Sequence, residues 1–280
     1  MKKYLLLFSI CGLTFIGCNS DDTPVNPSEE AIDTPNDAIP NPDSNPVPEG
    51  QNIIFADGFN TGDLSHAEGD ARWTSTKEIT IVENSGNFVA DFRYEGSSDL
   101  SADAFAELRF DLGEVYPELW LQYDLYIPAH YHHRDAESSD NNKMLRLWHT
   151  EYSDEEKVGF SAWQNTNGFS TATADWRKIG EGIGSKGARV DDFITADDLG
   201  KWMSLKVYVK AATANAPGTF KLWKNGELVM DNEDILENYA TDEEHGYRKG
   251  YLLGWSNSGF NEETHLLIDN VVFSENDPNL

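Results

Sequence analysis

Between Glu107 and Glu151 the chain gathers side chains suited to binding or transforming a sugar. From Leu119 to Ile127 it alternates, with Leu119, Leu121, Tyr123, Leu125 and Ile127 on one side and Trp120, Gln122, Asp124 and Tyr126 on the other. That period of two is the pattern of a half-buried strand, and Pro128 stops it. An ordinary solvent face would carry Lys, Glu and Thr. Two aromatics with an amide and a carboxylate between them suit a glycan instead, because rings stack on pyranose faces and polar groups bind hydroxyls. A second layer of protein over this face would account for the same residues equally well. Trp148 and Trp255 extend the aromatic set, and Gln122 and Arg146 are polar groups that could bind a substrate beside them. Strand alternation puts Arg146 and Trp148 opposite Leu147 and His149, so the two pairs share a face only across a bulge. The run His130-Tyr131-His132-His133-Arg134 has no defined ligand spacing and no Cys or Glu to complete a metal pattern. It is expected to be a mobile loop at a groove edge.

Such groups need a scaffold, and from Ile53 to Phe273 the chain offers short strand-like runs separated by Gly, Asn and Asp clusters. No segment of ten or more residues carries a helical stripe. The expectation is one all-β domain over residues 51–280, built as a two-sheet antiparallel sandwich. Phe220–Trp223 and Leu228–Met230 flank Asn225-Gly226, which predicts a hairpin with that dipeptide at its tip. There is no Gly-x-Ser-x-Gly elbow, no Gly-rich phosphate loop, and no Glu-x-Asp-x-x-Glu strand of the kind retaining glycosidases use.

At the N-terminus Lys2 and Lys3 precede an apolar run, Leu5 to Ile16, that ends at Gly17-Cys18. This segment is too short to span a membrane and has the charge, length and small-residue ending of an export signal. Residues 1–17 are therefore expected to be removed, taking Cys11 with them and leaving no internal disulfide. Residues 18–50 hold seven of the eleven prolines and eight acidic residues but no Lys or Arg, so they are expected to be a disordered tether. Residues 51–280 hold 41 acidic against 19 basic residues, and the whole chain has a formal charge of −28. Nucleic acid is thereby excluded as a partner, and an acidic polysaccharide would have to be held by a local basic cluster.

Several strings resemble known families. Phe15-Ile16-Gly17-Cys18 resembles a bacterial lipoprotein processing site, which implies lipidation of Cys18 and an outer-membrane, surface-exposed location; the membrane is then met only through the lipid anchor. Phe55 to Ser65, Gly218 to Asp231 and Leu266 to Glu275 together resemble concanavalin A-like jelly rolls. The resemblance implies paired first and last strands and a structural calcium ion, with Asp57 and Asp269 as its ligands; an Asp-Gly turn and a strand cap would account for the same two residues. Phe105-Ala106-Glu107-Leu108-Arg109, Leu147-Trp148-His149 and Tyr247-Arg248-Lys249-Gly250 resemble in part the motifs of jelly-roll polysaccharide lyases, the group of alginate and heparin-lyase-like proteins. In that family an Arg stands where Phe105 is, and a Gln where Leu147 is. The resemblance implies β-elimination from a uronate: Arg109 on the carboxylate, His149 as base, and Tyr247 with Lys249 as a second proton-transfer pair. A non-catalytic carbohydrate-binding module, using Trp120, Tyr126, Trp148 and Trp255, is the alternative. A structural or adhesive surface protein is a third.

Overall fold

The computed structural model describes residues 39, 41–42, 52–134, 141–152, 157–164, 169–177, 189–213, 215–236, 245–257 and 259–278. Cys18, the signal segment and nearly all of the tether lie outside them. In chain order the strands are β1 (Ile53–Asp57), β2 (Ala67–Glu68), β3 (Ala71–Lys77), β4 (Ile79–Asn84), β5 (Asn87–Tyr94), β6 (Ala104–Phe105), β7 (Glu107–Tyr116), β8 (Glu118–Ile127), β9 (Asn141–Trp148), β10 (Lys157–Gln164), β11 (Ser170–Arg177), β12 (Arg189–Ile194), β13 (Lys201–Lys210), β14 (Gly218–Lys224), β15 (Glu227–Leu236), β16 (Tyr247–Leu252), β17 (Trp255–Asn257) and β18 (Thr264–Ser274). One sheet runs β15-β14-β13-β8-β18-β5-β4, with β1 added to β18. The other runs β12-β11-β10-β9-β16-β7-β3-β2, with β17 against β9 and β6 against β17.

The core lies between the sheets, where Leu121, Tyr123, Leu125, Leu205, Leu222, Ile268 and Phe273 of the first meet Leu108, Phe110, Leu145, Leu147, Phe160 and Leu252 of the second. Alternation makes this sandwich, since each strand gives every second side chain to the core and the rest to an outer face. The first and last strands pair as expected, Asp57 opposite Val271. The expected hairpin is also present: Asn225 and Gly226 have φ of 50° and 81°, the left-handed pair a two-residue turn requires.

The strand that first suggested a sugar surface, β8, belongs to the sheet opposite the lyase-like strings, so three of the expected substrate contacts need correcting. Trp120 and Gln122 point away from the core on the outer face of the first sheet. There Trp120 packs against Tyr208 at 4.6 Å and Trp223 at 5.5 Å, with Lys206 Nζ 5.4 Å from its ring. Tyr126 is buried beside Val89 and Leu267, with Trp202 and Ile39 over them. The outer aromatics of β8 are thus side chains packed on their own sheet, with the whole sandwich between them and Arg109. The His130 to Arg134 stretch is likewise no mobile edge. His133 and Arg134 are buried, His133 bonding Ser170 at 2.7 Å and Arg134 donating to the carbonyls of Asp99, Ala102 and Phe260.

Candidate active site

The three lyase-like strings fall on three strands that are neighbours in the second sheet, in the order β9, β16, β7. On β7, Leu108, Phe110 and Leu112 enter the core, which turns Glu107, Arg109 and Asp111 outward. On β9, Leu145 and Leu147 face the core, and Arg146 and Trp148 face out. A register shift between Tyr247 and Lys249 on β16 reverses the alternation locally, so that Tyr247 stays in the core while Lys249 and Tyr251 share the outer face. Register then fixes the layout. Tyr251 stands opposite Arg109 on one side and Arg146 on the other, and Lys249 stands between Asp111 and Trp148.

Two glycines let these strands close up. A Cβ on Gly250 would lie 2.3 Å from the Arg146 carbonyl oxygen and 2.4 Å from the Phe110 ring, so only hydrogen fits between β9 and β7 here. Gly159 on β10 sits opposite Arg146 and Asp175. With no side chain of its own, it leaves the span free for the Arg146 guanidinium to reach Ser161 and Asp175.

Arg146 is consequently buried and fully engaged. Its Nη1 donates to the carbonyls of Leu145 and Phe160 at 2.7 and 2.9 Å, and its Nη2 to Ser161 Oγ and Asp175 Oδ2, both at 2.7 Å. It cannot reach out to a substrate, which corrects its expected role as a direct contact; what it supplies is a fixed positive charge beneath Tyr251. Arg109 is different. Its Nε bonds Glu107, its plane lies 4.6 Å over the Tyr152 ring, and the side chain is 37% exposed, with both terminal nitrogens making no bond among the described residues. It is the cation placed to take a carboxylate in a forked pair. Burial pushes the Glu107 carboxyl above its usual range, against the pull of Arg109.

Tyr251 is 6% exposed, packs against Trp148 at 5.2 Å, and its hydroxyl makes no hydrogen bond among the described residues. Burial pushes the phenol up to about 12; Arg146 and Arg109 pull it down, and Glu107 and Asp175 oppose them. Tyr152, the other tyrosine on this face, has its hydroxyl occupied, at 2.8 Å from Thr74 Oγ1 and donating to the Phe110 carbonyl at 2.7 Å. Lys249 Nζ pairs with Glu151 at 3.0 Å and lies 3.9 Å from Asp111, while Arg248 takes Asp111 in a forked pair at 2.7 and 3.1 Å. Burial alone would raise the Asp111 carboxyl, but the Arg248 bonds, the Gly113 amide and Lys249 hold it below the ordinary value.

Two expected catalytic residues are not part of this arrangement. Tyr247 is 1% exposed within the apolar core. His149 lies just past the end of β9, its Nε2 buried without a hydrogen-bond partner among the described residues. The outward pair on β9 is Arg146 and Trp148, and among the described residues β7, β9 and β16 carry no histidine. Trp148 is on that face, and Trp255 sits farther along it, 42% exposed. Tyr251 was missed because the string was read from Tyr247; pairing residues two apart from Lys249 would have found it.

Asp57 and Asp269 do come together where β1 meets β18, but they do not fit a calcium centre. The two oxygens of Asp57 accept from Phe59 N and Trp73 Nε1, both at 2.7 Å; those of Asp269 accept from Asn270 N at 2.7 Å and Asn87 Nδ2 at 2.6 Å. Calcium takes six to eight oxygens, whereas here each carboxylate oxygen already accepts a protein N–H. Among the described residues, no group of three or more His, Cys, Asp or Glu is arranged to hold a metal.

A family model described as polysaccharide lyase matches residues 59–272. The chain belongs to the polysaccharide lyase family. Its fold is shared by many solved structures, three of which follow. The alginate lyase vAL-1 from Chlorella virus is 11% identical, covering 80% of this chain and 100% of its own, with a TM-score of 0.56. The endo-β-1,4-glucuronan lyase from the fungus Trichoderma reesei is 13% identical, covering 74% and 94%, with a TM-score of 0.53. The family 16 endo-glucanase from Bacteroides ovatus is 8% identical, covering 79% and 100%, with a TM-score of 0.53. Among curated proteins none matches. One fold therefore carries both eliminating and hydrolysing enzymes, and the side chains on the face must separate them. Those of this polysaccharide lyase are a phenol and a carboxylate-ready guanidinium on adjacent strands.

Proposed function

We propose that the protein cleaves a uronate-containing polysaccharide by β-elimination on the outer face of β9, β16 and β7, with Tyr251 moving the proton and Arg109 holding the uronate carboxylate. The observation that carries this reading is the Tyr251 hydroxyl, which makes no hydrogen bond among the described residues, with Arg109 and Arg146 on the adjoining strands. Elimination begins by removing the weakly acidic proton beside the carboxylate. A guanidinium on that carboxylate stabilises the charge that develops, and Arg109 has two nitrogens to give it. The proton needs an acceptor and the departing glycosidic oxygen needs a donor. As the one unengaged phenol among the described residues of this face, Tyr251 serves both, accepting the proton as phenolate and returning it as phenol; the two reacting positions then lie on the same side of the sugar. Arg146, locked on Asp175, favours the phenolate without competing for the substrate. Trp148 and Tyr152 frame the site, and Lys249 adds positive charge beside it.

The extracellular side of the reading is a surface lipoprotein anchored at Cys18, with residues 18–50 as the tether. Its support is the apolar run that ends in Gly17-Cys18. The test of function is direct. Incubation with a panel of uronate polymers and of neutral glycans should give ultraviolet-absorbing unsaturated ends from at least one uronate polymer and from no neutral glycan. Measurable binding to uronate polymers with no absorbing product from any of them would transfer the reading to a non-catalytic binding module.

A further inference from the structure

The face that carries Tyr251 continues past the residues assigned so far. Phe105 stands four residues before Arg109 and turns outward with Glu107 and Arg109, while Ala104, Ala106 and Leu108 go to the core. Trp255 pairs with it across β17 and β6, and the two rings lie 4.6 Å apart at 30°. Lys77, at the end of β3, brings its Nζ to 4.8 Å from the Phe105 ring centre. Trp255 is one of three large apolar side chains exposed among the described residues. It has no reason in the core to be where it is. Four strand residues place this pair about 13 Å from Arg109. In a chain with a formal charge of −28, an exposed indole and a lysine that both approach the Phe105 ring, the lysine with no ion pair among the described residues, make a local surface in line with Arg109 that is complementary to a sugar carrying a carboxylate.

We propose that Trp255, supported by Phe105, together with Lys77 forms a distal subsite for a uronate residue of the chain being cleaved, the sugar face on the indole and the carboxylate on the Lys77 ammonium. This rests on the lyase reading of Tyr251 and Arg109, and adds to it a preference for length. A substrate reaching both places gains the distal contacts, and a short one does not. Phe105 underpins the indole, holding it flat and reducing the side-chain freedom lost on binding. The subsite lies away from the reacting bond, so it contributes equally to ground state and transition state and should appear in KM, with kcat unchanged.

The experiment compares Trp255→Ala and Lys77→Gln with the unsubstituted protein on a uronate polymer and on the shortest oligomers it cleaves. Stacking and charge contacts of this kind change affinity by roughly threefold to tenfold. KM for the polymer should therefore rise by that factor in each variant, kcat should hold, and the shortest oligomers should be cleaved as before. Trp255→Phe should recover part of the loss. Unchanged polymer KM in both variants, or an equal change on the shortest oligomers, would overturn the subsite. If the unsubstituted protein yields no product, the lyase reading fails by itself. Affinity electrophoresis in polymer-containing gels then decides the subsite: weaker retardation of both variants supports it, and equal retardation overturns it.

Discussion

The buried pair of Arg146 and Asp175 makes a prediction in which stability and catalysis separate. Arg146→Met removes four donated hydrogen bonds and leaves Asp175, whose side chain is 8% exposed, as a carboxylate without its counter-charge. Breaking a buried pair from one side costs about 3–5 kcal/mol, a large share of the 5–15 kcal/mol that holds a typical domain together. Removing both charges in Arg146→Met/Asp175→Leu takes away the orphan. Replacements of that kind are often neutral, so the double variant should recover most of the loss. Activity should not follow. Of the charged groups acting on the Tyr251 phenol, Arg146 is the strongest and pulls it down, while Asp175 is weaker and pushes it up, so deleting both leaves the phenol higher still. Each unit of pKa is worth about 1.4 kcal/mol, or tenfold in phenolate at a fixed pH. The assay is urea unfolding alongside kcat/KM against pH for the three proteins. The double variant should fold like the parent, while its rate is down by up to about tenfold and its alkaline rise is displaced to higher pH. Full activity with an unmoved pH profile in the refolded double variant would refute the placement of Arg146 beneath the reacting phenol.

Other residues give shorter tests. Gly250→Ala would place a methyl against the Arg146 carbonyl and the Phe110 ring, so calorimetry should show a loss of at least about 1–3 kcal/mol together with reduced turnover; an unaffected melting temperature would contradict the close approach of β9 and β7. Asp269 is pushed up to about 6 by burial, with Asp124 and Asp57 adding to it against the Asn270 and Asn87 bonds. A carboxyl raised in the folded state stabilises while protonated, below about pH 4, and that contribution is lost as pH rises through 6, an effect on the order of 3 kcal/mol. Asp269→Asn, with the Asn87 amide turned to accept, should therefore melt higher than the parent at pH 7 and show less pH dependence between 4 and 6, while a chelator leaves both proteins unchanged; a chelator-induced drop would restore the calcium reading. Cys18→Ser should move the protein from the membrane fraction to the soluble one, and continued anchoring of that variant would refute the lipid tether.

What the sequence made legible follows from where hydrophobic alternation is strong. The β8 and β18 patterns and the Asn225-Gly226 turn were readable because burial on one face imposes period two and a tight turn demands left-handed residues, whereas the pairing of first and last strands came from the jelly-roll resemblance. β3 and β11 were not, since ARWTSTK and STATADWR are rich in Thr, Ser and charge. Their outer faces carry the polar network around Arg146 and Asp175 and the contacts near Lys77. Site assignments went astray for a related reason. Alternation says which residues share a face but not which sheet a strand joins, so Trp120 and Gln122 were put beside Arg109 when the sandwich separates them. Where β16 meets β7 the register is irregular, Tyr247 to Lys249 of β16 lying across from the longer run Tyr116 to Asp111 of β7, which puts Tyr251 and not Tyr247 on the face with Arg109; no periodicity reveals such a shift.

The central claim is that the Tyr251 phenol moves the proton, and one measurement meets it directly: the rate of unsaturated uronate formation, followed by ultraviolet absorbance, for Tyr251→Phe beside His149→Ala on the best polymer substrate. Loss of a proton-transfer group typically costs 10²–10⁴-fold, so Tyr251→Phe should lower kcat by at least about a hundredfold with folding and polymer affinity nearly intact, and His149→Ala should stay close to the parent. A Tyr251→Phe protein that turns over normally while His149→Ala is dead would contradict the account.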